Sequence, residues 1–351
     1  MLQKNQREPF EIADTVIGPG QRATIGISLG MLSNHVPMEL PIRVIHGKRP
    51  GPTFFVSAAV HGDEILGIEI IRRVLQSPLM EKLRGTLIAV PIVNGPGFIA
   101  HSRYLPDRRD LNRSFPGSER GSMAARLADT FLREIVLRCE TGIDLHTAAL
   151  HRTNFPQLRF DNSATERLRA LADAFGAPVT IESSLRTGSL RETAKRNGVE
   201  MLLYEAGEAL RFDEFSIRIG VRGVMSVMQQ LGMFPAKSVS PPRRKPVRSK
   251  SSYWVRAPEG GILRMNRTTG DLVETGEAIA VLSDPFGEYE VTITAEAAGV
   301  IIGRTNLPTV NMGDALFHIA RTGRLAQAGG KIEAITDEMD SHPLFDEDEV
   351  I

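Results

Sequence analysis

A chain of 351 residues, 42% of them apolar, is long enough for a large domain and a second, smaller one. Its 42 basic residues balance 42 acidic ones, which excludes a global field drawing it to nucleic acid or an anionic membrane. Cys139 is the single cysteine, so an internal disulfide framework and a cysteine-rich metal site are excluded as well.

The first residues, MLQKNQREPFEIAD, contain no apolar core of a signal peptide, and no run of about 18 apolar residues occurs. The expectation is a soluble, cytoplasmic protein. Runs Arg22 to Leu29 and Leu40 to His46 read as an opening hairpin or edge strands. Thr53 to Val60 is a buried strand, followed by His61-Gly62-Asp63-Glu64 and a helix from about Glu64 to Gln76, with Asp63 as its cap. Thr86 to Val93 is a second buried strand, and strand, helix, strand at this spacing is an α/β signature with parallel neighbours. In such sheets, sites form beyond the carboxyl ends of the strands, where His61 lies.

The polar stretch Asn94 to Gly121 is too long for an idle connection. Ser122 caps a helix carrying Leu127, Phe131 and Ile135, and Cys139 at its end reads as structural. In Thr141 to Ala148, Asp144 and His146 alternate with Ile143 and Leu145, so a strand points both polar side chains the same way. Helices follow at Ala164 to Phe175 and Leu190 to Arg196, then a strand from Glu200 to Glu205 and a helix over 213–231. Residues 236–252, with three prolines, six basic residues and no acid, read as a linker. Tyr253 to Ala320 is β-rich with two related hairpin units, which suggests a small β-sandwich. From Gly329 onward eight acids face one lysine, and this tail is expected to be mobile or to lie against the basic linker. The domain limits are therefore 1–235 for a catalytic unit, 236–252 for a linker, 253–321 for a β-rich unit and 322–351 for an acidic tail.

His61 and Glu64 across a strand-to-helix turn can face one point, as ligands of a zinc ion at ~2.0–2.2 Å or as partners in an ordinary hydrogen bond. His146, at the end of another strand, is the natural third ligand. Two histidines and one carboxylate leave a zinc position open for water, the arrangement of a catalytic site. Glu205 can supply a general base, and Asp110 and Asp144 can fix the histidine tautomers.

His61-Gly62-Asp63-Glu64, Arg103-Tyr104, Asp110-Leu111-Asn112-Arg113, Asp144-Leu145-His146 and Glu205-Ala206-Gly207 stand in an order that resembles the succinylglutamate desuccinylase and aspartoacylase family. The resemblance runs from about residue 40 to residue 235 and extends through that family to the zinc carboxypeptidases. It implies a zinc-carboxypeptidase-like mixed sheet flanked by helices. It also implies one Zn²⁺ held by His61, Glu64 and His146, with Glu205 as base and acid and Arg103 polarising the scissile carbonyl. Asn112 and Arg113 would hold a substrate carboxylate, with Arg191 a further carboxylate-binding arginine and Asp110 the partner of His61. Two residues are added between Arg103 and Asn112 relative to the aspartoacylase pattern, and Arg191 lies further upstream of the glutamate. The C-terminal β unit resembles biotinyl and lipoyl carrier folds. No lysine lies between Lys250 and Lys331, so it carries no lysine-linked cofactor and is expected to shield the active-site mouth.

The expected function is hydrolysis of the amide in a small, carboxylate-bearing N-acyl amino acid. A carboxypeptidase-like peptidase and a non-catalytic zinc-containing binding protein are the alternatives. His101, His151, Arg108, Arg109, Arg159 and Arg186 read as loop or surface residues, and His35, His46, His318 and His342 as structural or exposed. Whether the chain forms a homo-oligomer is not legible in the sequence.

Overall fold

The computed structural model describes residues 7–242 and 244–341. Strands β1 (Phe10–Ile12) and β2 (Thr15–Ile17) form a small ribbon, and β3 (Arg22–Met31) pairs with β4 (Pro37–His46) as the expected hairpin. The sheet's centre is then built from β5 (Arg49–Ala58), helix α1 (Leu66–Gln76) and β6 (Arg84–Val90). Helices α2 (Gly95–Ile99) and α3 (Met123–Glu134) precede β7 (Thr141–Ala148). β5 lies between β6 and β7, parallel to both, and β4 joins antiparallel on the far side of β6. Every residue of β7 is buried, as a strand covered on both faces requires.

The chain continues through β8 (Arg152–Asp161), α4 (Glu166–Phe175), β9 (Val179–Ser183), α5 (Leu190–Arg196), β10 (Glu200–Glu208) and α6 (Glu214–Gln230). β10 runs parallel to β7 with Glu205 opposite His146, so β6, β5, β7 and β10 end at a common edge. Helices α1, α4 and α6 cover one face of the sheet around Ile70, Phe175 and Tyr204. On the other face α3 and α5 pack around Phe55, Phe131 and Leu190.

Beyond α6 come β11 (Val247–Ser249), β12 (Ser252–Arg256), β13 (Gly261–Met265), β14 (Leu272–Val273) and β15 (Ala278–Ser283). They are followed by β16 (Glu290–Thr294), β17 (Gly299–Thr305), β18 (Thr309–Val310), β19 (Ala315–Arg321) and helix α7 (Leu325–Ser341). β13, β15, β16 and β18 make a separate four-stranded antiparallel sheet. β17, by contrast, pairs with β8 through Gly303 opposite Asn154, and β19 and β12 extend from it. One sheet of 13 strands thus runs from the first hairpin to the C-terminal strands.

Several expectations change. Helix α1 starts at Leu66, because residues 61–64 close a turn in which the Glu64 amide donates to the His61 carbonyl at 3.1 Å. Asp63 does not cap it; the N-cap is Ile65, without a side-chain bond. The long polar stretch holds α2 and a 3-10 turn at Leu111–Arg113. The last part of the basic stretch is strand β11, parallel to β9, with Val247 buried against Val179 and Ile181. The acidic stretch begins as α7, which buries Ile335 and Met339 and lies against that strand, Lys331 Nζ donating to the Pro246 carbonyl at 3.2 Å. Residues 342–351, His342 included, lie outside the described residues. Among the described residues no helix is long and apolar enough to cross a membrane.

Candidate active site

His61 stands just past the end of β5 and His146 near the end of β7, and the parallel pairing of these strands brings their rings to 5.0 Å between centroids. Glu64 closes the turn beneath them. Its Oε1 lies 2.7 Å from His61 Nδ1 and its Oε2 2.7 Å from His146 Nδ1. The Thr147 amide donates to the second oxygen at 3.1 Å. On the outer sides, His61 Nε2 is 3.2 Å from Asp110 Oδ1 and His146 Nε2 is 2.7 Å from Asp144 Oδ2. Ser57 donates to the other oxygen of Asp144 at 2.7 Å. Asp110 thus meets the His61 ring and Asp144 the His146 ring.

This donor set needs a cation. With each Nε2–H given to an aspartate, both Nδ1 lone pairs face carboxylate oxygens at hydrogen-bonding distance, which repels unless a proton or a metal sits between them. One ligand atom from each of His61, Glu64 and His146 lies within 4.8 Å of the others, all three residues are buried, and the group could hold a metal ion. The electrostatics agree. Burial pushes the Glu64 carboxyl up, but the charges and hydrogen bonds of His61 and His146 outweigh it and hold the group well below the usual carboxylate range. Burial likewise disfavours a charged His146, yet Asp144 and Glu64 raise it well above the ordinary imidazole value.

The turn depends on Gly62. A Cβ built there would stand 2.1 Å from the Gly97 carbonyl carbon and 2.2 Å from the Phe98 nitrogen, backbone atoms of α2. Asp63 is buried beside Glu64 with Oδ1 unpartnered, and burial, then the Glu64 charge, raises its carboxyl above the ordinary value.

Arg103 reaches the centre from the polar loop, donating to Glu64 Oε1 at 3.1 Å and Asp110 Oδ2 at 3.0 Å. Asn112 Oδ1 accepts from the Leu190 amide at 3.0 Å, which ties that loop to the start of α5 beside Arg191. Arg113 is exposed at the cavity wall. Glu205 ends the straight part of β10, its Oε2 accepting from Asn154 Nδ2 at 2.9 Å.

His61, Glu64, Arg103, Asn112, Arg113, Asp144, His146, Arg191 and Glu205 line one cavity of about 560 Å³, with Asp110 behind its wall. Asn154, the partner of Glu205, lines it too, and so do residues assigned no role above: Arg152 and Arg159 from β8, Arg186, Trp254 from β12, Arg304 from β17 and His318 from β19. Arg159 was expected to be a loop or surface residue, and its place within β8 corrects that, whereas Arg186 lies in the exposed loop between β9 and α5 and His318 is a buried residue of β19. For Arg159 a signal existed: Gln157 and Arg159 alternate with buried Leu158 and Phe160, the pattern of a strand with one polar face. Trp254 and His318 stack at 4.2 Å and 11°, and His318 Nε2 meets Ser252 Oγ at 2.8 Å. Burial, then Arg159 and Arg186, pushes the His318 imidazole down to about 3.

A family model described as the succinylglutamate desuccinylase/aspartoacylase catalytic domain matches residues 50–231. An N-alpha-acetyl-L-2,4-diaminobutyric acid deacetylase from Halomonas elongata is 30% identical over 333 residues, covering 91% of this chain and 97% of the relative. Among solved structures, the product-bound ectoine utilization protein EutE (DoeB) from Ruegeria pomeroyi superposes with a TM-score of 0.78 at 24% identity, covering 91% of this chain and 100% of that one. A succinylglutamate desuccinylase/aspartoacylase from Rhodobacter sphaeroides has a TM-score of 0.76 at 24% identity, covering 92% and 98%. The class is thus that of the α/β deacylases. Within it, the chain belongs to the succinylglutamate desuccinylase/aspartoacylase family.

Two outcomes follow from this geometry. Gly62→Ala must push the turn off α2, and a loss of about 2–3 kcal/mol is expected in urea unfolding; an unchanged midpoint would show that the two backbones separate at no cost. His318 has a folded pKa of about 3, against an ordinary 6.5 when unfolded. The unfolded chain therefore takes up a proton below pH 6.5 that the folded one refuses, and stability is lost as pH falls toward 3. Between pH 6.5 and 5 the wild type should lose about 2 kcal/mol more than His318→Leu, and equal losses would remove the effect.

Proposed function

We propose that the protein is a zinc-dependent deacylase that hydrolyses the amide bond of a small N-acyl amino acid. The observation that carries this reading is the meeting of the buried His61, Glu64 and His146 with Glu205 at one cavity, in a member of a deacylase family. The deacetylase name of the Halomonas elongata relative supports an N-acyl amino acid as the substrate class.

In this reading His61 Nδ1, Glu64 and His146 Nδ1 hold the zinc, while Asp110 and Asp144 keep the Nδ1 lone pairs turned toward it. Zinc there supplies a water of lowered pKa and an electrophilic pole for the amide oxygen. Glu205 takes the attacking water's proton and delivers it to the departing amine nitrogen, and with the acid's remaining proton passing to the amine, water and amide become a carboxylate and an ammonium. Asn154 holds the Glu205 carboxylate in place for both transfers. Arg103, whose fork is already fixed by Glu64 and Asp110, sets a positive charge beside the position where the carbonyl oxygen becomes negative. Asn112, Arg113 and Arg191 take a substrate carboxylate. Residues 1–235 are then the catalytic unit, with 253–321 closing part of the cavity wall.

Metal analysis of the purified protein should find about one zinc per chain, lost when His61 and His146 are both changed to alanine. Undiminished zinc in that double variant would sink the ligand assignment. Glu205→Gln should keep the metal and lose a factor of about 10²–10⁴ in kcat, and full turnover would remove its role as base.

A further inference from the structure

At one end of the long sheet, β3 pairs with β4 on one side and with no strand on the other among the described residues. Which of its backbone groups point outward follows from β4. Gly26 stands opposite Pro41, which has no N–H to give, so this is not a hydrogen-bonded pair and the N–H and C=O of Gly26 turn away from β4. The His46 amide donates to the Gln21 carbonyl at 3.0 Å, which sets the same alternation from the start of the strand. Thr24 and Ser28 therefore present their N–H and C=O outward as well, in a row with Gly26. Open strand edges are normally blunted by charge, by proline or by a bulge. Ala23 to Gly30 contains no charge and no proline, and its bulge lies at the far end, between Ser28 and Gly30.

This edge floors a groove of about 920 Å³ that shares no residue with the active-site cavity and is walled by α3 and the β1–β2 ribbon. The two ends of the groove differ. Arg126 stands at the Gly30 end, where a Cβ built on Gly30 would lie 3.7 Å from its Nη2. The ribbon stands at the other end, leading directly into β3 and held beyond the last turn of α3 by Arg138, which donates to the Glu11 carbonyl at 3.0 Å. Arg133 and Arg138 have carboxylates of their own, Asp129 and Glu134. Arg126 at one end, and Glu11 and Asp14 at the other, have no ion partner among the described residues. Exposed apolar surface is divided in the same way, with Met31 just past Gly30 and Val16 on the ribbon.

We infer that β3 pairs with β3 of a second copy of this chain, antiparallel about a two-fold axis at Gly26, so that the long sheet runs on through a homodimer. The axis lays Thr24 of each copy opposite Ser28 of the other, and each outward N–H meets an outward C=O. It also brings the Gly30 end of one groove against the ribbon end of the other. Arg126 then faces Glu11 and Asp14 of the second copy, Met31 faces Val16 of the second copy, and both contacts occur twice. An unrelated strand could use the same backbone groups. A reversed copy of this chain also supplies opposite charge and apolar surface at both ends.

Light scattering of the full-length, zinc-loaded protein as it leaves a size-exclusion column at micromolar concentration should give about twice the 38.5 kDa of one chain. Thr24→Pro removes only an outward amide, at a position where an edge strand tolerates proline, and should weaken the dimer about tenfold or more. Arg126→Glu and, separately, Glu11→Arg set like charges against each other at both ends and should each weaken it about tenfold. An equimolar mixture of those two variants pairs opposite charges again and should recover the mass of the wild-type dimer. In hydrogen exchange, the amides of Thr24, Gly26 and Ser28 should slow as the protein concentration rises. A wild type that stays monomeric overturns the inference. A dimer indifferent to all three variants overturns it too, because the contact then lies elsewhere, and so does a mixture that remains two monomers, because the strands are then not antiparallel. If circular dichroism shows that Thr24→Pro does not fold, the charge variants and the exchange rates decide.

Discussion

The carboxylate of Glu64 is approached on both oxygens by imidazole nitrogens, and each of those rings is held from behind by another carboxylate. Three electron-rich groups so close, and so deeply buried, are stable only around shared positive charge. The rest of the catalytic edge can be understood as the means of keeping them there. Adjacent parallel strands deliver the two histidines, and a glycine that lets the turn touch α2 delivers the glutamate. Ala59, at a φ of 50°, bends the chain between strand and turn, a strained backbone held by the packing around it.

The parts of the site legible in the sequence were those carried by local patterns. The strand over 141–148 and the helix over 190–196 have the limits their alternation and spacing indicate. The long polar loop was recognisable as too long for an idle connection, although its internal turns were not. What local pattern does not report is which distant strands become neighbours. β8 went unrecognised because its opening residues Arg152, Thr153 and Asn154 are polar and Pro156 interrupts it. Trp254, Arg304 and His318 reach the cavity only through pairings between segments about 150 residues apart in sequence. In the acidic stretch, net charge masked the stripe Ala328, Ile332, Ile335 and Met339, whose helical spacing buries one face of α7.

Charge illustrates the same limit. Equal numbers of acids and bases give the chain no field at long range, yet the fold sorts them so that arginines dominate the cavity wall. Balance over a sequence constrains encounter with large charged partners and says nothing about a cavity a few ångströms across. A chain with no net charge can therefore still present a strongly cationic cavity wall.

Asn154 occupies an unusual crossing point. Its strand register places Gly207 on one side and Gly303 on the other, while its amide holds Glu205. A side chain at 303 would begin 2.9 Å from the Asn154 oxygen. Evolution can consequently adjust the orientation of the glutamate from a position almost a hundred residues downstream of it, without altering any residue that lines the cavity beside it. Drift in the C-terminal strands would then reach the Glu205 carboxylate before it registered as a change in shape.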